Sequence, residues 1–168
     1  MFEARAIDSS DKPAFYRALA IQLEALLTGE TDPIANAANT SALIYHSLPD
    51  LNWAGFYFLR GQELLLGPFQ GKPACVRIAV GRGVCGAAIE GRKPLLVGDV
   101  NAFSDHIACD SASRSELVVP LMNGEEILGV LDLDSPHVSR FDAEDLAGVQ
   151  KLAEIYVAAC EKSGSRGG

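Results

Sequence analysis

The sequence predicts an α+β fold made of one domain, with helices from both termini packed on a central antiparallel sheet of six strands. Helical patterns occupy the two ends of the chain, and short β-rich runs separated by Gly, Pro or Asn occupy its middle. A chain of 168 residues can bury one sizeable core but not two. We therefore treat residues 1–168 as a single domain, with 163–168 as a frayed tail.

Three helices follow from capping residues and apolar periodicity. The first is predicted over 12–27 after the candidate caps Ser10 and Asp11, and the second over 33–48 after Asp32, with proline in its first turn. The third follows Asp142. Its apolar residues recur at three- and four-residue steps, namely Leu146, Val149, Leu152, Ala153, Tyr156 and Cys160.

Six β-rich runs are predicted as the strands of the sheet. In chain order they are WAGFYFL, ELLLGPF, ACVRIAV, PLLVGDV, SELVVPLM and EILGVLDLD. Asn123 and Gly124 stand between the last two runs and supply the positive φ angles of a type I′ turn. These two runs should therefore form an antiparallel hairpin.

The charge balance excludes some partners. The chain has 14 Lys and Arg against 22 Asp and Glu, a formal net charge of −8, which repels nucleic acid and anionic membrane surfaces. The amino terminus lacks the basic start and apolar run of a secretory signal, and no stretch approaches the roughly 20 apolar residues that span a bilayer. We expect a cytoplasmic protein that binds neither nucleic acid nor membrane.

Four cysteines in such a compartment indicate redox or nucleophilic chemistry rather than a structural disulfide framework. Metal binding is not expected. The sequence has no C-x-x-C and no H-x-x-x-H pair, and His46, His106 and His137 are scattered.

The four cysteines lie in different sequence settings. Cys160 is on the apolar stripe of the last helix and reads as structural. Cys85 follows a glycine turn near the start of a short helix, where backbone N–H groups would lower the thiol pKa, with burial as the alternative. The sequence does not settle on which face of its strand the Cys75 side chain lies. Cys109 lies near His106 in the longest irregular stretch, which favours function, although a loop cysteine without a role is the bland alternative.

The quoted residues resemble a known family. The strings NWAGFYF, GKPACVRIAVGRGVCGAAIE, HIACDSASRSELVVPL and NGEEILGVLDLDSP are similar to the free methionine-R-sulfoxide reductases, which have the GAF fold. The likeness runs from Asn52 to the last helix. Its most specific element is three cysteines, Cys75, Cys85 and Cys109, at intervals of 10 and 24 positions.

The resemblance implies a role for each of these cysteines. Cys109 would be the nucleophile that reduces free methionine-R-sulfoxide, and it would become a sulfenic acid. Either Cys75 or Cys85 would resolve that acid into a disulfide, with Cys75 slightly favoured. A thioredoxin-like protein would then reduce the disulfide, and no bound cofactor is required.

The resemblance also implies which residues bind the substrate. Glu116, Asp132 and Asp134 match the family's acidic pocket, and Trp53 and Tyr57 match its aromatic wall.

The residues themselves support an acidic pocket. Asp132 and Asp134 are two apart on a predicted strand and share a face, while Glu116 starts the neighbouring strand. Three crowded carboxyls would raise at least one pKa and keep a proton for the sulfoxide oxygen, and the remaining charge would bind an α-ammonium group. The alternative is a solvated strand face with no function.

Trp53 and Tyr57 stand four apart and also share a face, where their rings could enclose a thioether methyl; core packing is the alternative. Backbone N–H groups of 111–115 or of the turn near Gly83 are candidate donors for a substrate carboxylate.

Two other functions remain open at this level. A GAF module could bind a small ligand as a non-catalytic sensor, or Cys109 could act as a redox switch without turnover. The sensor hypothesis would be favoured by a phosphate-binding P-loop. The sequence GRG at 81–83 is too short to be one. An apolar face on the terminal helices hints at a homodimer.

Overall fold

The fold is seen in a computed structural model that describes residues 2–104 and 111–161. The sequence-based interpretations of Cys109, His106 and the tail 163–168 concern residues outside this part. The extension of one domain over the whole chain stays a prediction.

Aspartates begin the three helices that the sequence predicts. Asp11 accepts from the Ala14 amide at the start of α1 (Lys12–Leu27), and Asp32 accepts from two amides at the start of α2 (Pro33–Ser47). Asp142 does the same before α4 (Ala143–Glu161). Each carboxylate satisfies amides that have no partner inside their helix, so these predictions are confirmed. A shorter helix, α3 (Gly83–Gly91), contains Cys85.

The six predicted strands form one antiparallel sheet in the order β3-β2-β1-β6-β5-β4. The two edge strands keep only three residues each of the longer runs that the sequence predicts, because an edge strand has a partner on one side only. The strands are β1 (Trp53–Arg60), β2 (Glu63–Gly71), β3 (Arg77–Ala79), β4 (Leu95–Val97), β5 (Ser115–Asn123) and β6 (Glu126–Ser135). A 3₁₀ turn at Val100–Ala102 follows β4.

The β5–β6 hairpin is confirmed, but the predicted type I′ turn is wrong. Asn123 still pairs with Glu126, so the turn consists of Gly124 and Glu125. Of these residues only Gly124 has a positive φ, +58°. A type II′ turn requires a positive φ at its first central position alone, which is where the glycine stands.

The two faces of the sheet carry different layers. On the three-helix face, α1, α2 and α4 cover alternate strand residues in the larger apolar core. On the α3 face, α3 covers the intervening residues, among them Trp53, Tyr57, Val118 and Val130. In the described part of the chain, no helix is long and apolar enough to cross a bilayer.

Strand register brings distant residues together on the α3 face. Trp53 of β1 pairs with Asp134 of β6, and Gly55 pairs with Asp132. On the other side of β6, Glu116 of β5 pairs with Asp134. The first and last hairpins thus meet at one end of the central strands.

Candidate active site

The structure brings the three predicted carboxyls together on the α3 face. Glu116 and Asp132 are only 6% and 5% exposed, while Asp134 is half-buried. Glu116 lies opposite Asp134 in the ladder and diagonally next to Asp132, and all three point to the same face because side chains alternate along each strand. The alternative of a solvated strand face is wrong for Asp132, which is buried.

Cys85, on α3, contacts this acidic group. Its Sγ donates to Asp132 Oδ2 at 3.3 Å and lies 3.8 Å from Glu116 Oε1. Burial raises the thiol pKa well above its ordinary value, and the negative charges of Asp132 and Glu116 raise it further. The predicted lowering of this pKa by the helix start is therefore wrong, since desolvation and two carboxylates outweigh the backbone N–H groups.

Glu116 and Asp132 form a proton-sharing pair. Burial raises the pKa of Glu116 well above its ordinary value, followed by the charges of Asp132 and Asp134. Burial also raises the pKa of Asp132, to about 7, although hydrogen bonds from Cys85 and Glu116 partly oppose the shift. Oδ1 of Asp132 is buried and accepts no hydrogen bond. The pair therefore keeps a proton near neutral pH and has one acceptor atom to spare.

The same three side chains are the residues that could hold a metal ion. The Cys85 sulfur and one oxygen each of Glu116 and Asp132 lie within 4.8 Å of one another. Protons already account for these short contacts, because the thiol donates to Asp132 and the two acids share a hydrogen bond. The expectation of a metal-free site stays a prediction.

Trp53 and Tyr57 form an aromatic wall beside the acids. They are 3% and 2% exposed, and their rings stack with centroids 5.8 Å apart. Sequence reasoning missed Phe69, whose ring stacks with that of Trp53 at a centroid distance of 5.2 Å. It also missed Gly55 between the two rings, where a Cβ would lie 2.3 Å from the Phe69 Cβ. A glycine between two aromatic residues on one strand face was the available signal.

The cysteines within the described residues are in two chemical states. Cys75 is disulfide-bonded, whereas Cys85 and Cys160 carry free thiols. Cys160 packs against the core of the three-helix face, as its apolar stripe predicts, and accepts from the Asn36 amide at 3.7 Å. Cys109 lies outside the described residues, so its predicted role is not tested by the geometry.

Comparison with known proteins identifies the family. Residues 22–159 match the GAF domain model. The chain is 53% identical over 142 residues to the free methionine-R-sulfoxide reductase of Escherichia coli (strain K12), covering 84% of this chain and 86% of the relative. This chain belongs to the free methionine-R-sulfoxide reductase family. The family resemblance inferred from the sequence is confirmed.

Solved structures agree with this family assignment. The X-ray structure of free methionine-R-sulfoxide reductase from Neisseria meningitidis, in complex with its substrate, matches with a TM-score of 0.92 and 45% identity, covering 97% of this chain and 98% of that one. A relative without an activity in its name, protein YtsP of Bacillus subtilis (strain 168), is 56% identical and covers 87% of this chain and 91% of its own length. The reductase family and the GAF fold therefore extend over most of the molecule.

One backbone N–H group that the sequence suggested as a donor to the substrate carboxylate already has a hydrogen-bond partner in this reductase-family chain. In the loop before β5, the Arg114 amide donates to the Ser135 carbonyl at 2.7 Å. The Asn52 side chain donates to Ser113 Oγ at 3.1 Å and ties the same loop to the start of β1. Arg114 also lies 3.4 Å from Asp99. This part of the loop supports the strand ends, so its Arg114 amide is not available to a substrate.

Proposed function

We propose that this chain reduces free L-methionine-(R)-sulfoxide to L-methionine. The observation that carries the proposal is the buried Glu116–Asp132 pair, which keeps a proton at neutral pH directly beside an aromatic wall. A sulfoxide must have its oxygen protonated while a thiolate attacks its sulfur, and a carboxyl with a raised pKa supplies that proton. The E. coli relative bears the name of this activity.

Substrate binding would use the two sides of the pocket differently. Asp134 and the spare Oδ1 of Asp132 offer acceptors for the α-ammonium group of a free amino acid. The rings of Trp53 and Tyr57 would contact the thioether methyl. The α-ammonium group is absent when methionine is internal to a peptide or at its carboxyl end, so this arrangement favours the free amino acid.

The first chemical step would take place at Cys109. Its thiolate forms a bond to the sulfoxide sulfur while Glu116 gives its proton to the oxygen. The bond between the substrate sulfur and its oxygen then breaks, and the oxygen ends on Cys109 as a sulfenic acid. The substrate sulfur gains two electrons and Cys109 loses two, so methionine leaves without any further oxidant or reductant.

Cys75 is the thiol that would resolve the sulfenic acid. Its sulfur attacks the Cys109 sulfur, a disulfide forms and water leaves. Two facts support Cys75 over Cys85: Cys75 is disulfide-bonded, and Cys85 is a buried thiol whose raised pKa keeps it protonated. A thioredoxin-like dithiol would then reduce the disulfide, which fits a reducing, cytoplasmic setting.

A homodimer is a further part of this proposal. Ile21 on α1 and Ile34 on α2 are exposed large apolar side chains that a second copy would cover. Sedimentation of the purified protein would separate a monomer of 17.8 kDa from a dimer.

The test of the proposed activity is a stereospecific assay with dithiothreitol as reductant. We expect the purified protein to consume free methionine-R-sulfoxide, and hardly the S epimer or peptide-bound sulfoxide. Equal rates on the peptide would contradict the amino-acid pocket. Oxidation of the cysteines without release of methionine would favour a redox switch instead.

Cysteine variants test the assigned roles in the same assay. Cys109→Ser should abolish turnover, whereas Cys75→Ser should allow one round of reduction and block recycling through thioredoxin. Cys160→Ser is the matched control, because its thiol packs on the opposite face of the sheet. If Cys160→Ser were more damaging than Cys109→Ser, the assignment of the nucleophile would fail.

A further inference from the structure

The segment 72–75 lies in the connection from β2 to β3 and ends at Cys75, and two aromatic side chains hold its backbone. Tyr57 donates its hydroxyl hydrogen to the Cys75 carbonyl at 2.9 Å. Trp53 donates its indole N–H to the Lys72 carbonyl at 3.2 Å. Both donors belong to β1, so two hydrogen bonds fasten the two ends of the segment to a central strand of the sheet.

These two donors are themselves fixed. The Trp53 and Tyr57 rings are almost fully buried and stacked, and Phe69 also stacks with Trp53. Burial, with the charges of Asp132 and Cys85, raises the pKa of Tyr57, so its hydroxyl keeps its hydrogen at every physiological pH. The indole N–H can only donate. Each anchor is therefore a rigid, permanent donor.

We propose that Tyr57 and Trp53 are positioning residues for Cys75, because their polar ends fix the backbone of the resolving cysteine while their rings line the pocket. The proposal rests on the proposed function in taking Cys75 as the resolving thiol. Closure of a disulfide requires a narrow range of Cα separation and of Cβ direction. The segment 72–75 lies outside any helix or strand, so the regular hydrogen bonds of the sheet do not hold it in that range.

Anchoring would act on one step of the cycle more than on the other. Attack on the sulfoxide uses Cys109 and the carboxyls, whereas disulfide closure also needs the Cys75 sulfur at one place. A misplacement of about 1 Å can slow a reaction between two held groups roughly 10²-fold. Loss of the Tyr57 hydroxyl should therefore slow closure relative to methionine formation.

The experiment compares Tyr57→Phe with Tyr156→Phe. Tyr156 is a matched control, since it is equally buried and donates its hydroxyl to the Pro33 carbonyl at 3.0 Å, on the three-helix face. In a single turnover, one sample gives both the rate of methionine formation and the rate of disulfide closure, and dimedone traps the sulfenic acid between them. We expect Tyr57→Phe to lower the ratio of closure to methionine formation at least tenfold, with accumulation of trapped sulfenic acid.

A purely structural role would not move this ratio. An unchanged ratio in Tyr57→Phe, or an equal fall in Tyr156→Phe, would overturn the proposal. Trp53→Phe keeps a ring but removes the indole donor, and it should lower the ratio less because Lys72 is three positions from Cys75.

A second measurement separates this proposal from the proposed activity. Hydrogen peroxide can oxidise Cys109 to the sulfenic acid without any methionine sulfoxide, and closure is then followed alone. Slow closure in Tyr57→Phe under peroxide supports the positioning role even if no sulfoxide is reduced. Disulfide closure as fast as in the protein that keeps Tyr57 contradicts it.

Discussion

The two faces of the sheet bury acidic side chains in opposite ways. On the three-helix face, Asp145 is 1% exposed and accepts from Lys12 at 2.6 Å and from Arg140 at 3.2 Å. On the α3 face, Glu116 and Asp132 are nearly as buried, yet in residues 2–104 and 111–161 neither forms an ion pair. Lys12 and Arg140 balance the charge of Asp145, whereas a proton reduces the charge of the Glu116–Asp132 pair.

This difference separates stability from chemistry. Asp145 also accepts from the Tyr16 hydroxyl at 2.8 Å, so its contacts join α1 to the start of α4. A carboxyl neutralised by a proton can give that proton away. The three-helix face therefore keeps its ion pairs, whereas the acids of the α3 face can change their protonation state.

The largest expected effect is on catalysis at the α3 face. Glu116→Gln removes the carboxyl proton while keeping the side-chain shape, and we expect kcat/KM for free methionine-R-sulfoxide to fall about 10²–10⁴-fold, the usual contribution of a general acid. Glu126→Gln, the same change at an exposed position on β6, is the control. Equal activities in the two variants would show that Glu116 is not the donor.

The next effect is on stability at the three-helix face. Asp145→Ala leaves Lys12 and Arg140 without their buried partner, and breaking such a pair costs about 3–5 kcal/mol. Urea unfolding measures this loss, while turnover per folded molecule should not change. Glu154→Ala breaks the exposed pair with Lys151 and should cost less than about 1 kcal/mol. Similar losses in both variants would remove the contrast between the faces.

A smaller loss is expected where α4 approaches α1. A Cβ on Gly148 would lie 2.1 Å from Cγ of Tyr16, whose ring is held by its bond to Asp145. Gly148→Ala should destabilise the protein by about 1–3 kcal/mol through overpacking. Gly91→Ala, where a Cβ meets only the flexible Lys93 side chain at 3.5 Å, is the control and should cost nothing measurable. Thermal unfolding of both variants compares the two sites.

The smallest expected effect is on the pH dependence of the protein's stability. The pKa of Asp132 is about 7 in the folded protein, against an ordinary 3.8, so between these pH values the folded state binds more protons than the unfolded state. The stability from Asp132 is complete below pH 3.8 and is lost as pH rises through about 7. Asp132→Asn cannot ionise, so its Tm should fall less between pH 5 and pH 8. A slope as steep as that of the unmodified protein would contradict the raised pKa.

Local chemistry predicted the elements of this fold well. Asp11, Asp32 and Asp142 each precede a helix because a carboxylate accepts from the free amides of the first turn, an effect within three or four residues. The common face of Asp132 and Asp134 follows from strand alternation alone. Such predictions need no knowledge of what packs above the strand.

Predictions that depended on packing were less successful. The pKa of Cys85 is set by burial and by two acids from β5 and β6, which the helix start does not reveal. The turn type at Gly124 depended on which residue ends β5, and pairing of Asn123 with Glu126 moved the turn by one position. The stacking of Phe69 on Trp53 required the register of β1 against β2.

The pairing of β1 with β6 also determines when the pocket can exist. The aromatic wall comes from the first hairpin and the acids from the last, and they meet where Trp53 lies opposite Asp134. During synthesis, a ribosome releases Cys75, Cys85 and Cys109 before the strand that carries Asp132. Contacts between such distant segments form late in folding. A nascent chain therefore carries these three cysteines before the proposed amino-acid site exists, and that site is complete only with the C-terminal third.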